Sequence, residues 1–206
     1  MDTVFLYFDY GSTKQSGIEE RGDRAMEQTE KETFFQEVQD AELVLVGIGS
    51  EFSVKQADRE SLLCAYNRLA SLLQGKNYFL LTINTDDLIF ESDLEKGRMV
   101  APCGSEKTVN VVTNENYDES WYLPQWQKYR MWLQGTVNRR LCILELGVGM
   151  EYPTVIRFAF EKVAYLNQKC VMYRVHEKLA FLTPEMKDRG IPVTENAVSF
   201  VSSLQL

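Results

Sequence analysis

Three short stretches put glycines or hydrogen-bonding side chains directly after apolar runs, and each suggests a chemistry. In "VGIGSEF", Gly47 and Gly49 let backbone approach a ligand closely. A helix after such a turn would offer free N–H groups to a phosphate. In "NYFLLTINTDDLIF", a run of Tyr, Phe and Leu ends in Thr82, Asn84, Asp86 and Asp87. Carboxamide and carboxylate groups at that place suit the paired hydroxyls of a ribose. The alternative is that Asn84 and Asp86 simply cap a helix over "DDLIFESDLE". In "LELGVGMEYPTVIRFAFE", Gly147 and Gly149 again separate an apolar run from a helical pattern, with Glu151 close to its beginning. Two glycine-bearing turns flanking a polar third are the distribution that a nucleotide with two phosphates needs.

Other chemistries find less support. The one histidine, His176, ends an apolar run without an evident Ser or Cys partner for a hydrolase triad. No G-x-S-x-G elbow or Walker A lysine motif is present. Cys64, Cys103, Cys142 and Cys170 are widely spaced, with no C-x-x-C pair, which fits neither a zinc ribbon nor a disulfide scaffold.

The elements that must position these groups follow from periodicity. Apolar runs at 4–8, 42–50, 77–84, 140–149 and 170–175 are short and nearly continuous, the pattern of strands covered on both faces of a parallel sheet. Between them, Leu62, Tyr66, Leu69 and Leu73 form one helical stripe within 56–74. Ile156, Phe160 and Val163 form another within 153–167, with Pro153 in a first turn that accepts it. Further helices are expected over 22–38, around Phe34 and Val38, and over 194–204. The alternation predicts an α/β fold, a doubly wound, Rossmann-like parallel sheet in three layers. In such a sheet, ligands bind beyond the carboxyl ends of the strands. Residues 105–139 depart from the alternation: a strand-like piece, a polar loop, then an aromatic-rich helix from about Pro124. Trp121, Trp126 and Trp132 there are either a binding face or core packing.

Composition bounds the rest. The chain has 206 residues, 45% hydrophobic and 25% charged, enough for one domain with a full core. A net charge of -8 and a pI near 4.9 argue against nucleic acid as a partner. An anionic cofactor is still admitted, because backbone amides can hold phosphate without Lys or Arg. No apolar stretch approaches the ~20 residues of a membrane span. "MDTVFLYFDYGS" lacks the basic start of a signal peptide, so a reducing cytoplasm is expected.

Taken in order, the turns resemble the sirtuin series. "GIGS" at 47–50 stands where sirtuins have G-A-G-x-S, and "TINTD" at 82–86 where they have T-x-N-x-D. "CGS" at 103–105 falls at H-G-S, "LGVGMEYP" at 146–153 at a G-T-S-L turn, and "YRVH" at 173–176 at the last core strand. The likeness covers about 41–177 and is nearest in look to macrodomain-linked bacterial sirtuins. It implies NAD as cofactor, cleaved at the nicotinamide–ribose bond, with the ADP-ribosyl group passed to an acceptor. It also implies roles: Gly47, Gly49 and Ser50 line the diphosphate, while Asn84 and Asp86 hold the nicotinamide ribose and the carboxamide. Gly147, Val148 and Gly149 border the adenosine ribose, and His176 lies near the adenine.

The departures bear on activity. The sirtuin general base is a His, and its position holds Cys103. An unperturbed thiol titrates about two units above imidazole and is more a nucleophile than a proton carrier. Cys103 is thus either compatible with ADP-ribosyl transfer or an inert thiol. Only about thirty residues separate Gly49 from Thr82, and 105–139 contains no cysteine, so the helical module and zinc ribbon of sirtuins are missing. Deacylation is therefore not expected. What remains is a single sirtuin-like domain over 1–206, with 105–139 a reduced insertion in place of the ribbon. Its expected activity is protein ADP-ribosyl transfer or NAD hydrolysis, with NAD or ADP-ribose as ligand and a protein as one class of acceptor. The alternatives are a catalytically degenerate nucleotide sensor and an interaction module using the acidic surface and 121–132.

Overall fold

The computed structural model describes residues 25–113 and 118–205. Six parallel strands form one sheet: β1 (Leu43–Ile48), β2 (Tyr78–Thr82), β3 (Met99–Val100), β4 (Leu141–Leu146), β5 (Cys170–Val175) and β6 (Gly190–Val193). Their spatial order is β3-β2-β1-β4-β5-β6. Chain order runs outward in both directions from the β1–β4 pair, which makes that pair the topological switch point of a Rossmann-like sheet.

Four of the expected apolar runs are β1, β2, β4 and β5, and almost every residue in them is buried. The run at 4–8 lies outside the described residues. Alternate side chains feed two cores, as a pleated strand dictates. Val44, Val46, Ile48, Leu144 and Leu146 meet α1 (Gln28–Asp40), α2 (Arg59–Leu72) and α5 (Ala197–Ser203), whose Phe34, Val38, Tyr66, Leu69 and Phe200 are buried. Leu43, Leu45, Phe79, Leu81 and Ile143 meet α3 (Leu123–Gln134) and α4 (Arg157–Leu166) through Tyr129 and Phe160. The three layers are thus the expected ones.

The differences have local causes. "DDLIFESDLE" makes only one 3-10 turn, Leu88–Glu91: Asp87 is left-handed (φ 61°) and Ser92 Oγ donates back to Ile89 O. The strand-like piece at 108–112 is a loop, because Val109 has positive φ and the Asn110 carboxamide accepts from Ser105 N and Thr108 Oγ1. The second stripe starts later than expected, at Arg157, since Ile156 is non-helical (φ -120°, ψ -65°). Pro153 therefore lies in the preceding turn, where its carbonyl accepts from Phe158 N. Two strands escaped the sequence pattern. β3 has two residues, and β6 is an edge strand that tolerates Pro192. Trp121, Trp126 and Trp132 pack against the core beneath α3, so the packing alternative holds for them.

Among the described residues, no helix is long and apolar enough to cross a membrane.

Candidate functional site

Register brings the strand ends together. Ile48 pairs with Thr82 on one side and Leu146 on the other, and Leu146 pairs with Val175. The segments after β1, β2, β4 and β5 therefore leave the sheet at one rim. Glu106 N, from the loop after β3, donates to Thr85 O at 2.8 Å and joins the Cys103 loop to the same edge.

The two glycine turns interlock. Gly49 N donates to Leu146 O (2.9 Å), and Gly147 N to Val175 O (2.8 Å). A Cβ on Gly49 would fall on the backbone of Gly147 and Val148, with Gly147 C only 2.6 Å away. Gly147 itself sits at φ +65°, where a side chain is strained. Gly47 corrects its expected role: it lies inside β1, and its missing Cβ leaves room for Ile156 Cγ2 and Phe160, not for a ligand. No helix N-terminus follows Gly49 directly. Ser50–Phe52 is a 3-10 turn, and α2 begins at Arg59 with Asp58 capping Ser61 N.

What this rim offers an anion is loop amides. The N–H groups of Ser50, Val148 and Gly149 donate to no atom among the described residues, although Val148 and Gly149 are buried. Buried backbone donors are nearly always paired. Around Gly149 there is also room: the nearest atom to a Cβ built there is Ser50 Oγ, at 3.7 Å. A cradle of unspent N–H groups is the kind of site that suits a diphosphate.

Asn84 is held from behind. Its Nδ2 donates to Gly49 O (3.0 Å), while its backbone N–H donates to Thr82 Oγ1 (3.1 Å). The carboxamide oxygen accepts no hydrogen bond among the described residues. Tyr66 donates to Phe52 O (3.0 Å), and burial, then the Asp86 charge, push its ionisation well above the ordinary range. It is a neutral positioning group. The sequence showed Tyr66 only as part of an apolar stripe.

Asp86 serves the backbone: Oδ2 accepts from Val54 N (3.0 Å) and Oδ1 from Leu88 N (3.1 Å). Only the Leu88 bond resembles the capping alternative, since the other reaches Val54 across to the loop after β1; each oxygen keeps a lone pair. Its neighbour Asp87 accepts from Ser105 Oγ.

Cys103 is buried among Ile83, Val100 and Val148. Burial, and then the Glu151 charge, push its thiol up to about 11. Near neutral pH it is therefore a neutral thiol, without the thiolate that a nucleophile needs. Burial likewise pushes the Cys170 thiol up to about 12 and that of Cys142 well up, while Cys64 is exposed. Brief iodoacetamide treatment at pH 8 is expected to alkylate Cys64 and spare the other three. Peptide mass mapping checks this, and early labelling of Cys103 would contradict its assignment as a neutral thiol.

Two polar clusters were not foreseen. Glu51, nearly buried, accepts from Glu177 N (2.9 Å) and Ala197 N (2.7 Å), tying the β1 turn to the β5 loop and the start of α5. His176 Nδ1 lies 3.2 Å from Glu51 Oε1, yet it accepts from Lys178 N and Leu179 N. Burial lowers its pKa, and the ring is neutral with its proton on Nε2. Beneath the turns, Glu145 and Arg174, partners in the β4–β5 register, form a bidentate pair (2.7 and 2.9 Å). Arg174 also donates to Glu161 (2.6 Å) and Phe181 O (2.9 Å). Arg157 donates to Val148 O, Leu179 O and Phe181 O and lies 3.6 Å from Glu145. Through Arg157 this network holds the Val148 carbonyl of the Gly147–Gly149 turn. The available signal was a charged residue in each of two buried runs, at equal distance from their ends.

No protein-family model matches the sequence, and no curated protein does. Solved structures do match. One, from work on the mechanism and regulation of Sir2 enzymes, aligns with a TM-score of 0.53 at 12% identity, over 86% of this chain and 97% of its own. Another, a triple mutant of a Sir2 homologue in complex with 2′-O-acetyl ADP-ribose, aligns with a TM-score of 0.51 at 10% identity, over 87% and 95%. The chain therefore has a Sir2-like fold, a Rossmann-type parallel sheet with helices on both faces.

Proposed function

We propose that this chain binds NAD across the β1–β4 switch point and releases nicotinamide, passing ADP-ribose to water or to a protein side chain. The observation that carries the reading is the conjunction, on one rim of a Sir2-like sheet, of three unspent amides with a carboxamide locked in place. NAD supplies an ADP-ribosyl group on a cleavable nicotinamide bond. The amides of Ser50, Val148 and Gly149 hold the diphosphate, with Gly49 needed to bring the two turns together. Asn84 Oδ1 orients a ribose hydroxyl or the attacking water. The remaining lone pairs of Asp86 position the carboxamide region. The 147–149 turn borders the adenosine ribose, and His176 Nε2–H is a donor at the adenine end.

The same reading takes the chain as one sirtuin-like domain in which 105–139 replaces a zinc ribbon. It excludes deacylation, since the position of the sirtuin base holds a neutral thiol. Four free cysteines are in keeping with a reducing cytoplasm. That neutral thiol also favours a second reading, a nucleotide-binding sensor without turnover.

Calorimetry with NAD and with ADP-ribose, paired with nicotinamide release, tests both. Binding and release are expected, with release lost in Asn84→Ala. Binding without release supports the sensor, and absence of heat at millimolar ligand rejects nucleotide binding altogether.

A further inference from the structure

The two faces of the sheet differ in what they show to solvent. Ten large apolar side chains stand exposed among the described residues, and α1, α2 and α5 contribute none of them. Met131, Val137, Phe158, Tyr165 and Leu166 lie on α3, on α4 or in the turn after α3, and Phe181 stacks on Arg157 of α4. Scattered singly, exposed apolar residues need no explanation, but a contiguous set marks an interaction site.

Two hollows, one on each flank of α4, make this set contiguous. The first, of about 360 Å³, is walled by Leu133, Val137, Val163 and Leu166, with Arg130 among its lining. The second, of about 380 Å³, is lined by Phe158, Lys162, Tyr165, Glu185 and Met186. Tyr165 and Leu166, 58% and 67% exposed, therefore form a ridge with a hollow on either side. An apolar cavity of ~150 Å³ already admits a benzene ring, so either hollow has room for such a side chain. A ridge flanked by hollows is complementary in shape to a second copy of itself.

The charges agree. α3 and α4 carry Lys128, Arg130, Arg157 and Lys162 against one carboxylate, Glu161, which is bonded to Arg174. In a chain of net charge -8, this is a side on which two copies repel each other least. The second hollow also holds one cation and one carboxylate, Lys162 and Glu185, both exposed and without a hydrogen bond or ion pair among the described residues.

We propose that the α3–α4 face is a two-fold interface through which two copies of this chain pair about α4. In such an interface every contact is made twice, once in each direction. The Tyr165–Leu166 ridge of each copy seats in a hollow of the other, and Lys162 of each faces Glu185 of the other. The inference is independent of the NAD reading.

Sedimentation velocity on the full chain at micromolar concentration is the test. Wild type is expected at twice the 23.8 kDa of one chain. Leu166→Glu, at a site already exposed, is expected to halve the sedimenting mass while its circular dichroism stays that of wild type. Val109→Glu, 85% exposed and outside this face, is expected to leave the dimer intact. Lys162→Glu is expected to raise the dissociation constant about tenfold, because both symmetry-related pairs become like-charged, and adding Glu185→Lys to reverse this. A wild-type monomer overturns the proposal, and one that floats with phosphatidylserine vesicles would give the face to a lipid surface instead. A dimer that survives Leu166→Glu also overturns it, because its interface lies elsewhere. So does a charge swap that fails to restore pairing, since Lys162 and Glu185 would then not meet across the axis.

Discussion

Gly49→Ala is expected to lower the stability of the fold by about 3 kcal/mol, the upper part of the range for forcing atoms into packed structure. For a chain of this size that corresponds to a melting temperature roughly 10 °C lower. The reason is what surrounds the added methyl: Gly147 C at 2.6 Å and the neighbouring Gly147 and Val148 backbone, with no flexible side chain that can swing away. The β1 and β4 turns would have to separate, breaking the Gly49 N to Leu146 O bond. Gly149→Ala is the matched control. Its methyl meets only Ser50 Oγ at 3.7 Å, so stability should hold, while ADP-ribose binding weakens because the methyl crowds the amide cradle. Thermal melts and calorimetry on the two variants separate these effects. Equal stability of Gly49→Ala and wild type would show that the turns do not interlock.

Arg174→Met is expected to cost about 3–5 kcal/mol, because it leaves a buried carboxylate without its bidentate partner. Glu145 is 0% exposed and Arg174 1% exposed, so water cannot replace the lost bonds. Arg157, 3.6 Å from Glu145 and engaged with three carbonyls, is a poor substitute. Burial drives the Arg174 guanidinium down, but its bonds to Glu145 and Glu161 carry it above its usual range, so it is charged at every accessible pH. Adding Glu145→Leu to Arg174→Met should recover part of the loss, since the unpaired carboxylate is removed while the buried Arg157 loses its carboxylate neighbour. Urea denaturation of the single and double variants gives the comparison. A single variant costing less than about 1 kcal/mol would mean that the pair is solvated, against the typical cost of breaking a buried pair.

Gly49 and the buried Glu145–Arg174–Arg157 network bear on the two sides of the 147–149 turn, Arg157 through its bond to Val148 O. Gly49 sets how closely the turn approaches β1, and the arginines hold the Val148 carbonyl and those of the 179–181 loop.

Much of the framework was legible in the residues themselves. β1, β2, β4 and β5 are buried on both faces, and a strand so placed has to be an unbroken apolar run whatever its partners are. The stripe of Leu62, Tyr66, Leu69 and Leu73 is likewise buried as its spacing requires. A two-residue β3 has no period to detect, and the helix expected after Asp87 depended on a backbone angle that composition does not reveal. At the site, the glycines and the Asn84–Asp86 pair announced a rim, but not which polar atoms were already committed. Glu51 is bound to amides 126 and 146 positions away.

The sequence by itself determined the four inner strands β1, β2, β4 and β5, their burial and the rim at which their loops meet, because each follows from local patterns of apolar and turn-forming residues. The tertiary structure alone decided that Gly47 packs a helix, that Cys103 is a neutral thiol and that Glu51 is consumed. Whether a donor, acceptor or charge is spent depends on groups brought from distant parts of the chain, and on how far water is kept from them.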